Sequence, residues 1–500
     1  MDKKLTELKS IINEICDVNK AAAVLGWDQE TYMPKGGIGD RANQLATLSK
    51  ISHQKFTSDK VGELISRAKV EVQDESSDSD DRRLVKVLDR DYQKSVKVPT
   101  TLVQEMSKAS SMGQQAWAEA REKSKFSLFE SHLKKIVDLR REYAMIFKPY
   151  DHIYDPLLDD FEPGLKTTDV KDIFEKLRPK QIELINKISE KQEVDNSFLF
   201  QKYDESKQWD FGVDVITKFG YDWNRGRQDK STHPFTTDFG IGDVRITTRI
   251  EPGYLPAGLF GSMHEAGHAM YEQGIAVNLA RTPLGGGASL AIHESQSRMW
   301  ENLVGRSLPF WECFYPELQK TFSKQLGNIK LSDFYKGINK VKASLVRVEA
   351  DEATYNMHVM LRLEIEIGLM EGSIEVKDLP EIWNAKMKEY LGVMPGNDAE
   401  GVLQDIHWSM GAIGYFSTYA LGNLVSAQLW ECINKVIPNL SDQIRIGDFS
   451  ELLGWLRKNV HQHGAKFEPQ ELVQRITGSK ITPEPYIKYL NKKYAEIYVF

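Results

Sequence analysis

Five consecutive residues, His264-Glu265-Ala266-Gly267-His268, combine side chains that ligate transition metals with one that moves protons. On a helix, positions i and i+4 lie about 40° apart on one face, one turn above the other. The imidazoles of His264 and His268 would therefore converge on a single cation. Glu265 projects to the side, where a carboxylate can hold a water and take its proton, as in H-E-x-x-H metal hydrolases. A chance match is expected in roughly 1% of chains with this histidine content, so the motif needs company.

A catalytic zinc usually keeps three protein ligands and leaves a fourth position for water. The next cluster, His293-Glu294-Ser295-Gln296-Ser297, opens a second helical stretch. Between the two lies the Gly-rich turn LGGGASL, which would let the second helix return beside the first. Adjacent helical residues point about 100° apart, so only one of His293 and Glu294 should reach the cation. Glu294 is the preferred third ligand and His293 its competitor. Without a metal, Glu294 would simply pair with Arg298 at the i,i+4 spacing.

Three further segments concentrate polar and aromatic groups. GVLQDIHW (401–408) runs into SMGAIGYFSTYALGN, where His407, Tyr415 and Tyr419 stand in otherwise apolar surroundings. Each is either a satisfied core residue or a donor to the oxyanion that develops when water attacks a carbonyl. Arg347 lies in VRVEADE, within a periodic stretch expected to be helical from 333 to 372. It either bridges to Asp351 at i,i+4 or offers a guanidinium fork to a carboxylate. Residues 232–251 alternate β-branched positions around a Gly-rich turn, which predicts a hairpin carrying Arg245 and Thr247. Its edge could pair with an extended peptide.

The elements that must hold these groups are mostly helical. Apolar residues recur at three and four in 102–125, 128–147 and 170–191. Around the first motif, Pro256 suits a helix's first turn and Gly274 a left-handed position past its end. Ser262 and Glu265 match capping-box spacing too, but a start there would leave the apolar 255–260 unexplained. The polar run 74–83 reads as an exposed connector. No repeat, low-complexity tract or linker divides the chain, so the expectation is one continuous, mainly α body of residues 1–500 with a small sheet.

At 500 residues, 41% hydrophobic, the chain can bury a sizeable core. A net charge of −7 with mixed signs gives no reason to expect nucleic acid or an anionic membrane as partner. No apolar run is long enough to span a bilayer, and the charged N-terminus lacks a signal-peptide core. Three scattered cysteines argue against a disulfide framework. A cytoplasmic protein is expected.

In order along the chain stand HPF (His233 to Phe235), D-x-R-x-T (Asp243 to Thr247), H-E-x-x-H, HES (His293 to Ser295), R-x-x-A-D (Arg347 to Asp351) and G-x-x-Q-D-x-H-W (Gly401 to Trp408). This series, with the N-terminal WDQETYMP, closely resembles the carboxypeptidase Taq family of metal-dependent carboxypeptidases. The resemblance covers essentially the whole chain. It implies a zinc enzyme, with cobalt able to stand in, that removes single C-terminal residues from peptides bearing a free carboxylate, with broad side-chain tolerance. It implies an elongated helical body with a deep central groove, as in neurolysin and angiotensin-converting enzyme, and a homodimer. His264, His268 and Glu294 become the ligands, Glu265 the general base and acid, and Arg347 the clamp on the terminal carboxylate. His233, Arg245 and Thr247 join the substrate-binding set, and His407, Tyr415 and Tyr419 the catalytic set. Ser417 departs from the family's proline in GYFPTY, and Val346 from its isoleucine. The competing readings are an oligopeptidase or dipeptidase on the same scaffold, or a non-catalytic helical peptide-binding protein.

Overall fold

The computed structural model describes residues 3–500. Four helices come first: α1 (Lys3–Thr31), α2 (Ile38–Phe56), α3 (Asp59–Glu71) and α4 (Asp80–Lys97). Ser58 and Ser79 cap α3 and α4 by accepting from the backbone N–H of Val61 and Arg82, which satisfies donors that have no partner inside the helix. The Ser79 cap starts α4 inside the polar run, so only its first part is a connector. Leu8, Ile12, Val61, Leu64 and Leu88 form a small apolar cluster, completed by Ile275, Leu279 and Leu284 from a distant segment. A second, much larger cluster runs through the rest of the chain from Leu102 to Tyr498.

The periodic stretches fold as the helices Thr100–Glu122, Glu130–Met145 and Thr167–Ser189. The helix Leu255–Gln273 carries the first motif and is buried on nearly every side, as a central helix of a large core must be. Pro256 occupies its first turn. Gly274 ends it with φ −89°, not in the left-handed region. Its lack of a side chain matters for packing, since a Cβ there would lie 2.6 Å from the His461 ring.

The 333–372 stretch is not one helix. Helical turns at Leu331–Ile338 and Tyr355–Glu371 flank an irregular segment that holds a single 3₁₀ turn, Arg347–Glu349. Asp351 explains the interruption: its carboxylate accepts from the backbone N–H of Lys342, Ala353 and Thr354 at 2.9–3.1 Å. Side-chain acceptors of this kind compete with the helical ladder for backbone donors.

The predicted hairpin is present as β2 (Thr236–Asp238) and β3 (Val244–Thr248), antiparallel, with Thr236 opposite Ile246. A third strand that the alternation did not reveal, β1 (Gln228–Lys230), pairs parallel to the other side of β3. β2 is therefore an edge, and both β2 and β3 pack on the helix Leu255–Gln273. None of the described helices is long and apolar enough to cross a membrane.

Candidate metal centre

The helix Leu290–Arg298 lies against Leu255–Gln273 at unusually short range. A Cβ on Gly267 would come within 2.7 Å of the Ser297 Cα, so only glycine lets the two backbones approach this closely. From the other side, the helix Ser417–Val436 presents Gly422, where a Cβ would lie 2.6 Å from the Glu294 side chain. These two contacts press Glu294 toward the histidine face. Ser289 caps its helix by accepting from the Ile292 N–H.

One ligand atom from each of His264, His268 and Glu294 lies within 4.8 Å of the others. Glu294 Oε2 is 3.6 Å from His264 Nε2 and 3.5 Å from His268 Nε2. Tetrahedral zinc with bonds of about 2.0–2.1 Å separates its ligand atoms by about 3.4 Å, so the donor set and spacing fit such a cation. The other ring nitrogen of each histidine is engaged elsewhere. His264 Nδ1 pairs with Glu301 Oε2 at 2.9 Å, and His268 Nδ1 with His293 Nδ1 at 2.6 Å. Each Nε2 lone pair is thereby left facing Glu294.

Glu301 reaches His264 because the second helix continues as a π-helical turn, Met299–Val304. Such turns are rare and re-aim side chains near functional sites. Arg298 binds both acids, Glu294 Oε1 at 2.7 Å and Glu301 Oε2 at 3.2 Å. Burial opposes ionisation of Glu294, but Arg298, His264 and His268 outweigh it and hold the carboxylate well below its usual range. Burial lowers His268 to about 3, which keeps the ring neutral and able to ligate.

Glu265 is buried beside this cluster, and burial raises its pKa. Its Oε2 accepts a hydrogen bond from the Thr236 hydroxyl at 2.6 Å, which ties it to the edge strand β2. Arg347 sits on the irregular segment, buried, with its Nε and Nη2 on Asp405 Oδ1 and its Nη1 on the Tyr355 hydroxyl. It does not pair with Asp351. The Tyr355 ring in turn lies 4.5 Å from the Arg298 guanidinium, so a continuous chain of contacts runs from Arg347 to Glu294.

The sequence profile described as Carboxypeptidase Taq (M32) metallopeptidase matches residues 7–494. The chain belongs to this family. It is similar to thermostable carboxypeptidase 1 of Thermus thermophilus, 40% identical over 488 residues and 95% of each chain. It is also similar to carboxypeptidase 1 of Bacillus subtilis, 36% identical over 494 residues, 99% of this chain and 98% of the other. The crystal structure of an M32 carboxypeptidase from Deinococcus radiodurans superposes with a TM-score of 0.97 at 38% identity over the full length of both chains. The protein is thus a metallocarboxypeptidase with the mainly helical architecture of its family.

The remaining residues singled out in the sequence of this carboxypeptidase fall into two groups. His407, Tyr415 and Tyr419 cluster, with ring centroids 5.1–6.1 Å apart and His407 Nε2 3.2 Å from the Tyr419 hydroxyl. Burial lowers His407 to about 4, so it is neutral near pH 7, and burial raises both phenols, which keeps them protonated. Ser417 begins the helix Ser417–Val436, a first-turn position that suits a proline as well, since a proline there has no helical N–H to lose.

The hairpin residues face inward. Arg245 is sandwiched between Trp27 and Phe239, 4.6 and 4.8 Å from their ring centres, and paired with Asp243. Thr247 Oγ1 accepts from the Phe235 N–H and the Ser231 hydroxyl, holding the HPF segment. His233 is exposed, and its ring makes no hydrogen bond among the described residues. Thr236, Glu301, Tyr355 and Asp405 were given no role by sequence reasoning. Only Asp405 carried a signal, through its place in the G-x-x-Q-D-x-H-W motif.

Proposed function

We propose that this carboxypeptidase releases single C-terminal residues from peptides with broad side-chain tolerance, using zinc held by His264, His268 and Glu294, with cobalt able to replace it. The observation that carries the reading is the convergence of those three ligand atoms beside the buried Glu265 carboxylate. When bound, the cation supplies Lewis-acid polarisation of the scissile carbonyl and acidifies a water.

Glu265 takes the proton of the attacking water and returns it to the leaving amine. Burial suits it to this work, because a raised pKa brings a carboxylate nearer the operating pH. The His407, Tyr415 and Tyr419 cluster offers a donor to the oxyanion. Arg347 receives the substrate's terminal carboxylate on the Nη1–Nη2 edge that Asp405 and Tyr355 leave partly free. Arg245 and Thr247 shape the wall around Glu265 through the hairpin, and the exposed His233 joins the substrate-binding set. A homodimer working in the cytoplasm is the expected assembly and place.

The test is mass spectrometry of an N-terminally blocked ten-residue peptide incubated with zinc-loaded protein. A ladder of single losses from the C-terminus is expected. Internal fragments would overturn the exopeptidase reading in favour of an oligopeptidase.

A further inference from the structure

The two histidines of the metal centre are backed differently. His264 Nδ1 meets a carboxylate directly, that of Glu301. His268 Nδ1 meets a third imidazole, His293, whose Nε2 lies 2.7 Å from Glu272 Oε1. We propose that His293, backed by Glu272, is a positioning residue that fixes the tautomer and orientation of His268. The inference rests on the metal reading above and extends it to a residue that adjacent-position geometry turns away from the cation.

The chain of hydrogen bonds runs in one direction. His268 turns Nε2 toward Glu294, so its proton must sit on Nδ1, where it is donated to His293 Nδ1. His293 then carries its own proton on Nε2 and donates it to Glu272. Glu272 stands four residues after His268 on the same helix, and it also accepts from the Gly287 N–H at 3.2 Å. One helical turn therefore sets both ends of the relay.

The surroundings are shaped around the His293 ring. The Tyr271 ring lies 5.1 Å from it. A Cβ on Gly287 would come within 2.7 Å of His293 Cδ2, so the Gly-rich turn leaves room for an imidazole and little else. Partners of metal-bound histidines orient the ring and raise its basicity, and their loss typically costs about 10–100-fold in metal affinity.

The experiment is competition for zinc between a chelator and the full-length protein, alongside visible spectra of the cobalt-loaded form. His293→Ala should weaken zinc binding by about 10–100-fold and shift the cobalt bands. His293→Gln should recover most of the affinity, because its carbonyl can accept from His268 while its amide donates to Glu272. Gly287→Ala, which removes no polar group, should displace the ring and give an intermediate loss. It carries the test if His293→Ala fails to fold.

Wild-type affinity and spectrum in His293→Ala would overturn the inference while leaving the metal reading intact. So would a His293→Gln protein as impaired as the alanine variant when both metal-free forms melt with the wild type. A wild-type protein that binds no stoichiometric zinc would bring down both.

Discussion

The candidate cation site and the Arg347 region lie a few side chains apart, yet they are held by different means. His264, His268 and Glu294 project from two long-range-packed helices whose backbones touch at Gly267. Arg347 sits between helices, on a segment whose backbone is organised by Asp351 and whose side chain is organised by Asp405 and Tyr355. Helical frames fix the relative positions of side chains through a regular rise and twist. An irregular segment fixes them only through partners elsewhere in the chain. The first region should therefore fail one function at a time, and the second should lose position whenever any one partner is removed.

The largest expected effect lies in the first region. Glu265→Gln should lower kcat by about 10²–10⁴-fold, the usual worth of a general base, while metal content measured on the purified protein stays at wild-type level. Near-normal turnover would remove Glu265 from the chemistry. Concurrent loss of metal would show that the helical frame is less modular than the comparison holds.

Arg347→Ala comes next. KM for free-acid peptides should rise by about 10–100-fold, with C-terminally amidated peptides little changed, since hydrogen bonds to a charged group are worth about 1.5–3 kcal/mol. An equal loss on both substrates would detach Arg347 from carboxylate recognition.

Asp405→Asn sharpens the contrast. Asp405 accepts from both Arg347 and Arg362, and these cations hold its carboxylate far below the usual range against the penalty of burial. Halving that anchor should raise KM for the same peptides by about 3–30-fold with a smaller change in kcat. Unaltered KM would mean that Tyr355 alone positions the arginine.

The smallest effect concerns stability. Glu366 accepts from Tyr154, Trp408 and the Gly414 N–H, and so ties down the segment that leads to Tyr415. Burial raises its pKa to about 7 despite these donors. A carboxyl whose folded pKa exceeds its unfolded one gives stability that is fully present below the unfolded value, near 4.5, and lost as pH rises through 7. Glu366→Gln should remove that dependence, flattening Tm between pH 4.5 and 7 by on the order of 1–3 °C relative to wild type. Parallel curves would show that Glu366 stays ionised throughout.

Much of the candidate metal centre is legible in the sequence. The i,i+4 histidines and the helix around them follow from local spacing, and Pro256 in the first turn marks where that helix begins. That only one of His293 and Glu294 should reach the cation follows from the 100° between neighbours on a helix; the preference for Glu294 leans on the family resemblance, and the role left for His293 is not legible in the spacing. The hairpin was visible in its alternation, whereas β1 was not, because three residues joined in parallel to a distant strand leave no period to read. Periodicity also misread 333–372, where the apolar spacing persists through residues that are not helical.

By itself, the sequence determined what is local or modular: a mainly helical chain, a paired-histidine motif with its neighbouring carboxylate, and a family pattern spread over the whole length. Only the tertiary structure decided which groups from remote segments meet. Thr236 reaches Glu265, Glu301 reaches His264, and Asp405 reaches Arg347 across 58 positions of chain. Backbone geometry propagates a repeat for a few turns, but contacts between distant segments are set by how whole elements pack, and no short-range spacing records that packing.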